Sequence, residues 1–363
     1  MKKCIFHYPG PLRENPTVGS EVRPVKMLQA FKDLGYEVEL ITGYSNARKN
    51  QIEQVKRNIR KGVRYDFVYA ESTTMPTALS DNDHLPRNPF LDERFFSYCR
   101  KNGIPVGLFY RDAYWQFPYY KERVARWIPY VTIPFYKHEL GRYRSCVDTL
   151  FVPSEEFANA IEFKGRYKEL PSGGDLEPVK KKSQTDEINL FYVGGVVGIN
   201  DIELVVDTVK DIDHVSFTLC CPEDQWCESE ATREIAEKSL NIHVIHKKGR
   251  EMKEWLKKSD IAMAYYERNP YRDLAMPVKL FEYICCGKPV ITTADTAAGR
   301  YVQEKDIGWA VDFDAEVFRK MLMRLAESRD EIREKTENTV AIIPDNTWEA
   351  RARTVADDLK KGE

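Results

Sequence analysis

The residues best suited to chemistry lie between positions 270 and 293, PYRDLAMPVKLFEYICCGKPVITT. Pro277 fits the first position of a helix, where its missing N–H costs nothing. Leu280 and Ile284 fall four apart on one helix face, Gly287 suits a left-handed C-terminal cap, and Lys288-Pro289 opens a buried strand. The spacing predicts a short helix over 278–286. The amides of Val278 and its neighbours then point out of the helix N-terminus, a natural seat for a diphosphate. Glu282, one turn further in, is placed to accept hydrogen bonds from a ribose. Spacing alone equally allows Lys279 and Glu282 to form an ordinary i,i+3 surface pair.

A second group of polar residues follows an apolar strand in the first half. In Gly107-Leu-Phe-Tyr-Arg111-Asp112-Ala-Tyr-Trp115 the strand ends in Arg-Asp and then in aromatics. Charges at a strand's C-terminal end face the ligand side of an open α/β sheet, and aromatic faces stack on sugar rings. The alternative is a structural contact of Arg111 and Asp112 with a neighbouring loop. The loop 71–91, ESTTMPTALSDNDHLPRNPFL, is long for a compact domain, and such loops are often functional. It offers Glu71, Asp81, Asp83 and His84 as acid–base groups, of which only His84 has an unperturbed pKa near neutrality. Residues 119–145 mix Lys and Arg with Trp, Tyr, Phe and Ile, a composition suited to an anionic membrane surface. The bland alternative is a partly buried helix pair broken near Pro129 and Pro134.

These groups need elements to position them. Strand-like runs alternate with amphipathic helical stretches along most of the chain, the pattern of α/β folds with parallel sheets. The first series has strands at 4–8, 37–42, 66–70, 105–109 and 149–152, and helices at 22–34, 47–61, 91–101 and much of 119–145. Leu170-Pro-Ser-Gly-Gly-Asp175 and the Lys-rich stretch after it mark a junction. The second series has strands at 188–193, 215–220, 242–245, 260–265, 289–293 and 309–311, and helices at 201–210, 229–239, 250–258, 278–286 and 314–326. Trp348, Ala352, Val355 and Leu359 then recur at helical spacing. The expected domains are 1–170, completed by a terminal helix at 347–363, and 171–346. Two such α/β domains facing each other across a cleft suit a two-substrate transfer.

The string Pro277-Val-Lys279-Leu-Phe-Glu282-Tyr-Ile-Cys-Cys-Gly287-Lys-Pro289-Val-Ile resembles the nucleotide-sugar motif P-x-K-x-x-E-Y…G-K-P-V of the GT4-like retaining glycosyltransferases (glycosyl transferases group 1). The resemblance implies the GT-B fold, two Rossmann-like domains across a cleft, with the second domain holding the donor. It also implies that Glu282 binds the donor ribose. The family's partner acid, eight positions earlier, is Leu274 here. Tyr192-Val-Gly194-Gly195 resembles the first strand and glycine turn of the donor domain, where glycine lets backbone approach a phosphate. Many members place Arg and Lys after that turn, whereas this chain has Val196 to Asn200. Arg268, Arg272 and Lys279 are the nearest substitutes. Gly19-Ser-Glu21-Val-Arg-Pro24 resembles the loop lying under the donor phosphates, although Glu21 also suits a plain helix start. In the family a polar residue after the 105–109 strand positions donor sugar or acceptor.

The activity implied is transfer of a sugar from a nucleotide diphosphate to a saccharide or lipid-linked acceptor, with retention, in cell-surface polysaccharide or glycan synthesis. The triplets Asp81-Asn-Asp83, Asp211-Ile-Asp213 and Asp312-Phe-Asp314 are not read as a metal site, and no metal or other cofactor is expected. Two rival readings are a nucleotide-sugar epimerase of the same fold and a non-catalytic nucleotide-sugar-binding protein. The 55 basic and 57 acidic residues nearly cancel in a 363-residue chain, which argues against a nucleic-acid partner. No export signal is expected, and there is no run near the ~20 apolar residues that span a bilayer and no paired CxxC among eight cysteines. Reduced, mostly buried thiols in a cytoplasmic protein, possibly at the inner face of the membrane, are expected.

Overall fold

The computed structural model describes residues 2–13, 19–178 and 187–360, apart from the side chains at 19, 20 and 119. The chain divides into two units, Met1–Ser172 with Trp348–Glu363, and Gly173–Thr347.

The first unit carries β1 (Lys3–Tyr8), β2 (Glu37–Thr42), β3 (Phe67–Glu71), β4 (Val106–Phe109), β5 (Thr149–Val152) and β6 (Tyr167–Glu169). They form one parallel sheet in the order β2-β1-β3-β4-β5-β6. Every residue of β3, β4 and β5 is buried, as expected of strands covered on both faces. The terminal helix Trp348–Lys360 lies against this sheet and the helix Gly19–Asp33, burying Trp348, Ala352, Val355 and Leu359. Leu359 explains a glycine in β4. A Cβ on Gly107 would sit 2.9 Å from Leu359 Cδ1 and 2.5 Å from Phe151 Cε2. Asp358 of the same helix accepts from Thr149 Oγ1 (2.9 Å), Arg166 Nη2 (2.9 Å) and Lys168 Nζ (3.2 Å).

Beneath the C-terminal ends of β1 and β2 lies a buried ion network. Asp92 takes His7 Nε2 at 2.6 Å on Oδ1, and Arg48 through Nε and Nη2, both at 3.0 Å. Burial opposes the charge, but His7 and Arg48 outweigh it and hold the Asp92 carboxyl at about 2. A carboxyl depressed on folding stabilises above its unfolded pKa of about 3.9, and that contribution fades as pH falls through 2. We expect Asp92→Asn to cost about 3 kcal/mol at neutral pH, because Arg48 is left buried without its counterion. The loss should shrink below about pH 4, measured by urea denaturation across pH.

The second unit carries β7 (Ile188–Val193), β8 (Val215–Cys220), β9 (Ile242–Ile245), β10 (Ile261–Ala264), β11 (Val290–Thr293) and β12 (Gly308–Val311). They form a parallel sheet in the order β12-β11-β10-β7-β8-β9. Its direction of winding reverses between β7 and β10. Open α/β sheets bind ligands at the C-terminal ends of strands at such a switch point. The helix Val278–Cys285 ends as expected at Gly287 (φ +67°). Gly287 N donates to Ile284 O (2.8 Å) and Lys288 N to Tyr283 O (3.0 Å), the paired bonds of a Schellman cap. Gly174 passes so close to this helix that a Cβ would collide with Phe281 O and lie 2.7 Å from Cys285 Cβ.

Candidate functional site

The switch point of the second sheet gathers most of the residues expected to hold a donor. Gly194 and Gly195 leave β7, Tyr265 and Tyr266 leave β10, and the turn Arg272–Leu274 leads into the helix Val278–Cys285. Tyr192 Oη donates to Gly195 O (2.6 Å), folding the glycine turn back over its own strand. Lys279 Nζ sits 4.9 Å from the Tyr192 ring centre and 5.5 Å from that of Tyr266. The Arg272 guanidinium stacks on Tyr266 at 4.0 Å, and its Nη2 donates to Asn200 Oδ1 (2.8 Å). Two cations therefore share one aromatic ring. Gly194 lies directly under the ammonium: a Cβ there would collide with Lys279 Nζ and fall 2.8 Å from Tyr192 Oη. A side chain at this position would have to displace the Lys279 ammonium.

The helix start differs in one detail from expectation. Pro277 is not the first helical residue but the N-cap, in an extended conformation (φ −66°, ψ 140°). Proline has no side-chain acceptor for the first turn. Leu280 N takes Pro277 O (3.1 Å), while Val278 and Lys279 provide the leading amides. Glu282 is half-buried on the second turn. Below it, Tyr283 Oη accepts from Val193 N (3.1 Å), which locks the helix to the end of β7. Burial pushes the phenols of Tyr192 and Tyr283 well above their ordinary range, so both act as neutral hydrogen-bonding supports.

Arg268 has a different place from the one expected. It is exposed and ion-paired with Asp273 and Asp295, each at 3.1 Å. Its charge is matched by two carboxylates, so Arg272 and Lys279 are the pair that meets over Tyr266. Sequence reasoning missed Tyr266 and Asn200, which position those cations. Tyr266 follows a buried strand, and nothing in its spacing separates it from a core aromatic.

In the first unit the structure joins two of the expected catalytic residues. Arg111 Nη2 donates to Glu71 Oε2 (2.9 Å), Arg111 Nε to Ser72 O (3.2 Å), and Arg111 N to Ser72 Oγ (3.0 Å). Arg23, not anticipated, completes the cluster. Its Nε lies 3.4 Å from Glu71 Oε1, its guanidinium stacks on Phe109 at 3.5 Å, and Nη2 donates to Leu170 O (3.2 Å). Tyr69 Oη adds a bond to Glu71 Oε1 (2.9 Å). Glu71 is only 1% exposed. The Glu71 carboxylate, expected as an acid or base, is thus held by two guanidiniums and a phenol. The signal for Arg23 was its register: Met27, Ala30 and Phe31 place it on the buried face of its helix.

The other residues expected in this unit are placed as follows. Gly19 and Glu21 lie in the first turn of the helix Gly19–Asp33, not in a glycine loop, and Glu21 pairs with Arg13 (2.9 Å). Residues 14–18 lie outside the described residues. Asp81 is buried and accepts from Ser45 N (2.6 Å) and Ser45 Oγ (2.5 Å), capping the helix Ser45–Arg60. Asp83 pairs with Arg87 on the surface. His84 is exposed, with φ +56°, and its Nδ1 meets Leu79 O (3.1 Å). Asp112 accepts from Tyr114 N (2.9 Å), closing a turn after β4. Trp115 is buried and stacked on Tyr136 (5.2 Å, 5°), and its Nε1 donates to Tyr110 Oη (3.2 Å). That indole face is already covered and does not await a sugar.

With the two parallel sheets and the glycine–lysine site in view, the comparisons with known proteins become specific. Residues 187–328 match the family model described as Glycosyl transferases group 1. Solved structures match over the whole chain. Anabaena Alr3699/HepE, in complex with UDP and glucose, is 13% identical with a TM-score of 0.63, covering 99% of this chain and 100% of that one. Sucrose-phosphate synthase from Thermosynechococcus elongatus is 13% identical with a TM-score of 0.65, covering 99% of each chain. WaaG, a glycosyltransferase involved in lipopolysaccharide biosynthesis, is 13% identical with a TM-score of 0.58, covering 99% of each. The fold is GT-B. No curated protein matches the chain in sequence. The group 1 match contains Gly194, Arg272, Lys279 and Glu282 alike, so the whole switch-point cluster lies inside it.

Proposed function

We propose that this protein transfers a glycosyl unit from a nucleotide diphosphate sugar to a hydroxyl of a saccharide or lipid-linked acceptor, with retention and without a metal. The observation that carries this reading is the meeting of Lys279, Arg272 and the leading amides of the helix Val278–Cys285 at the sheet's switch point. As the bond between the sugar and the diphosphate breaks, negative charge grows on the leaving phosphate. Preorganised cations and helix-end amides stabilise that charge without reorganising. Glu282 faces the ribose hydroxyls. Arg111, fixed by Glu71 and Ser72, serves the sugar or the acceptor, and Arg23 serves as a positioning residue through Glu71. The UDP-glucose complex of HepE and the lipopolysaccharide role of WaaG support the donor and acceptor classes.

Incubation with labelled UDP-, GDP- and ADP-sugars, with and without oligosaccharide or polyprenyl-phosphate-linked acceptors, tests the reading. Label should pass to an acceptor with release of nucleoside diphosphate, and EDTA should leave the rate unchanged. An epimerised sugar nucleotide formed without acceptor contradicts transfer. So does tight nucleotide binding with neither turnover nor hydrolysis. Loss of turnover in EDTA, restored by a divalent cation, contradicts the metal-free part alone.

A further inference from the structure

We infer that the turn joining the helices Pro118–Arg123 and Ile128–Cys146 docks on an anionic lipid bilayer surface. The longer helix buries Pro129, Thr132, Tyr136, Leu140 and Tyr143. The other side leaves Trp127 66% exposed, Tyr130 84% and Val131 46%. Among the described residues of the first unit, nothing covers this indole and phenol, three positions apart at one helix start. Both are amphipathic rings of the kind that settle at headgroup level.

Charge complementarity identifies the occupant. From Pro118 to His138 the basic residues are Lys121, Arg123, Arg126 and Lys137, and the acidic residue is Glu122 alone. All four cations are exposed. This excess sits in a chain whose formal net charge is −2. Cations flanking exposed Trp and Tyr match phosphate headgroups above an acyl boundary.

The presentation is fixed from behind. Tyr120 and Thr132 hydrogen-bond across the two helices (Oη to Oγ1, 2.5 Å), and Thr132 Oγ1 also donates to Ile128 O (3.0 Å). Trp115 stacks on Tyr136 under the same helix. The aromatics therefore stand on a braced turn and not on a loose loop. No described helix is long and apolar enough to cross a membrane, so the contact lies on the surface.

The inference does not rest on the transfer reaction, because vesicle binding is read with no donor present. The test is cosedimentation of the full chain with vesicles of three parts phosphatidylcholine to one part phosphatidylglycerol, and with phosphatidylcholine alone. Binding should favour the anionic vesicles and weaken with salt. Lys121→Gln with Arg126→Gln should lower the partition coefficient about fivefold per cation removed. Trp127→Ser with Tyr130→Ser should lower it on both lipids. Circular dichroism and an unchanged nucleotide affinity show that each variant is folded. Equal binding of wild type to both vesicles, or variants that bind as wild type does, overturns the inference. It is also overturned if the wild type ignores vesicles but sediments as a dimer that Trp127→Ser with Tyr130→Ser dissociates. That result would make the patch an interface between copies of the chain.

Discussion

Lys279→Ala and Arg272→Ala are each expected to weaken nucleoside diphosphate binding about thirtyfold in titration calorimetry, with the fold intact. A charge-assisted hydrogen bond to a phosphate contributes about 1.5–3 kcal/mol, and about 2 kcal/mol is roughly thirtyfold in affinity. Both cations lean on Tyr266, at 5.5 Å and 4.0 Å, so the double variant should lose less than the sum of the singles. Neither side chain supports the core: both are half-buried and sit on an aromatic ring. Stability should therefore change little. Glu282→Ala should weaken nucleoside diphosphate binding while leaving inorganic pyrophosphate binding unaltered, because its partner is the ribose. Unchanged affinity in both Lys279→Ala and Arg272→Ala would remove the donor site from this sheet edge.

Glu71→Ala is expected to destabilise the protein by about 3–5 kcal/mol in urea denaturation. Arg23 and Arg111 would both lose the buried carboxylate that holds them. Glu71→Gln keeps the shape and the bond from Tyr69 but loses the charge, so its cost should fall between wild type and alanine. The reverse substitution, Arg23→Met, preserves the stacking volume over Phe109 and leaves the Glu71–Arg111 pair intact. It should stabilise relative to Glu71→Ala while raising KM more than it lowers kcat, if Arg23 acts by placing Arg111. A cost below about 1 kcal/mol for Glu71→Ala would mean that the guanidiniums find water, as exposed ion pairs do.

The contrast between the two units shows what a sequence reveals. The strands of the second sheet were legible because each is a short apolar run bounded by turn residues, as in INLFYV before Gly194-Gly195. The helix Val278–Cys285 was legible from Gly287, whose left-handed conformation is the one its position demands. The exposed edge strand β6, three residues long, carries no apolar pattern and could not be read. Helices such as Glu155–Ala160 and Glu223–Glu228 are barely longer than a turn, too short for periodicity to register. The chemistry was less legible than the fold. Lys279 and Glu282 belong to a local motif, whereas the contact of Arg272 with Asn200 spans 72 positions and that of Arg111 with Glu71 spans 40. Charge in the loop 71–91 looked catalytic because spacing does not tell a cap from a base. Asp81 is a cap because the fold brings Ser45 to it.

A crystal structure of the protein with a nucleoside diphosphate sugar would decide the matter. The pyrophosphate should lie at the first turn of the helix Val278–Cys285, bonded to the amides of Val278 and Lys279 and to the side chains of Lys279 and Arg272, with Glu282 on the ribose. Density for the diphosphate at any other strand end, with Lys279 still resting between Tyr192 and Tyr266, would contradict it.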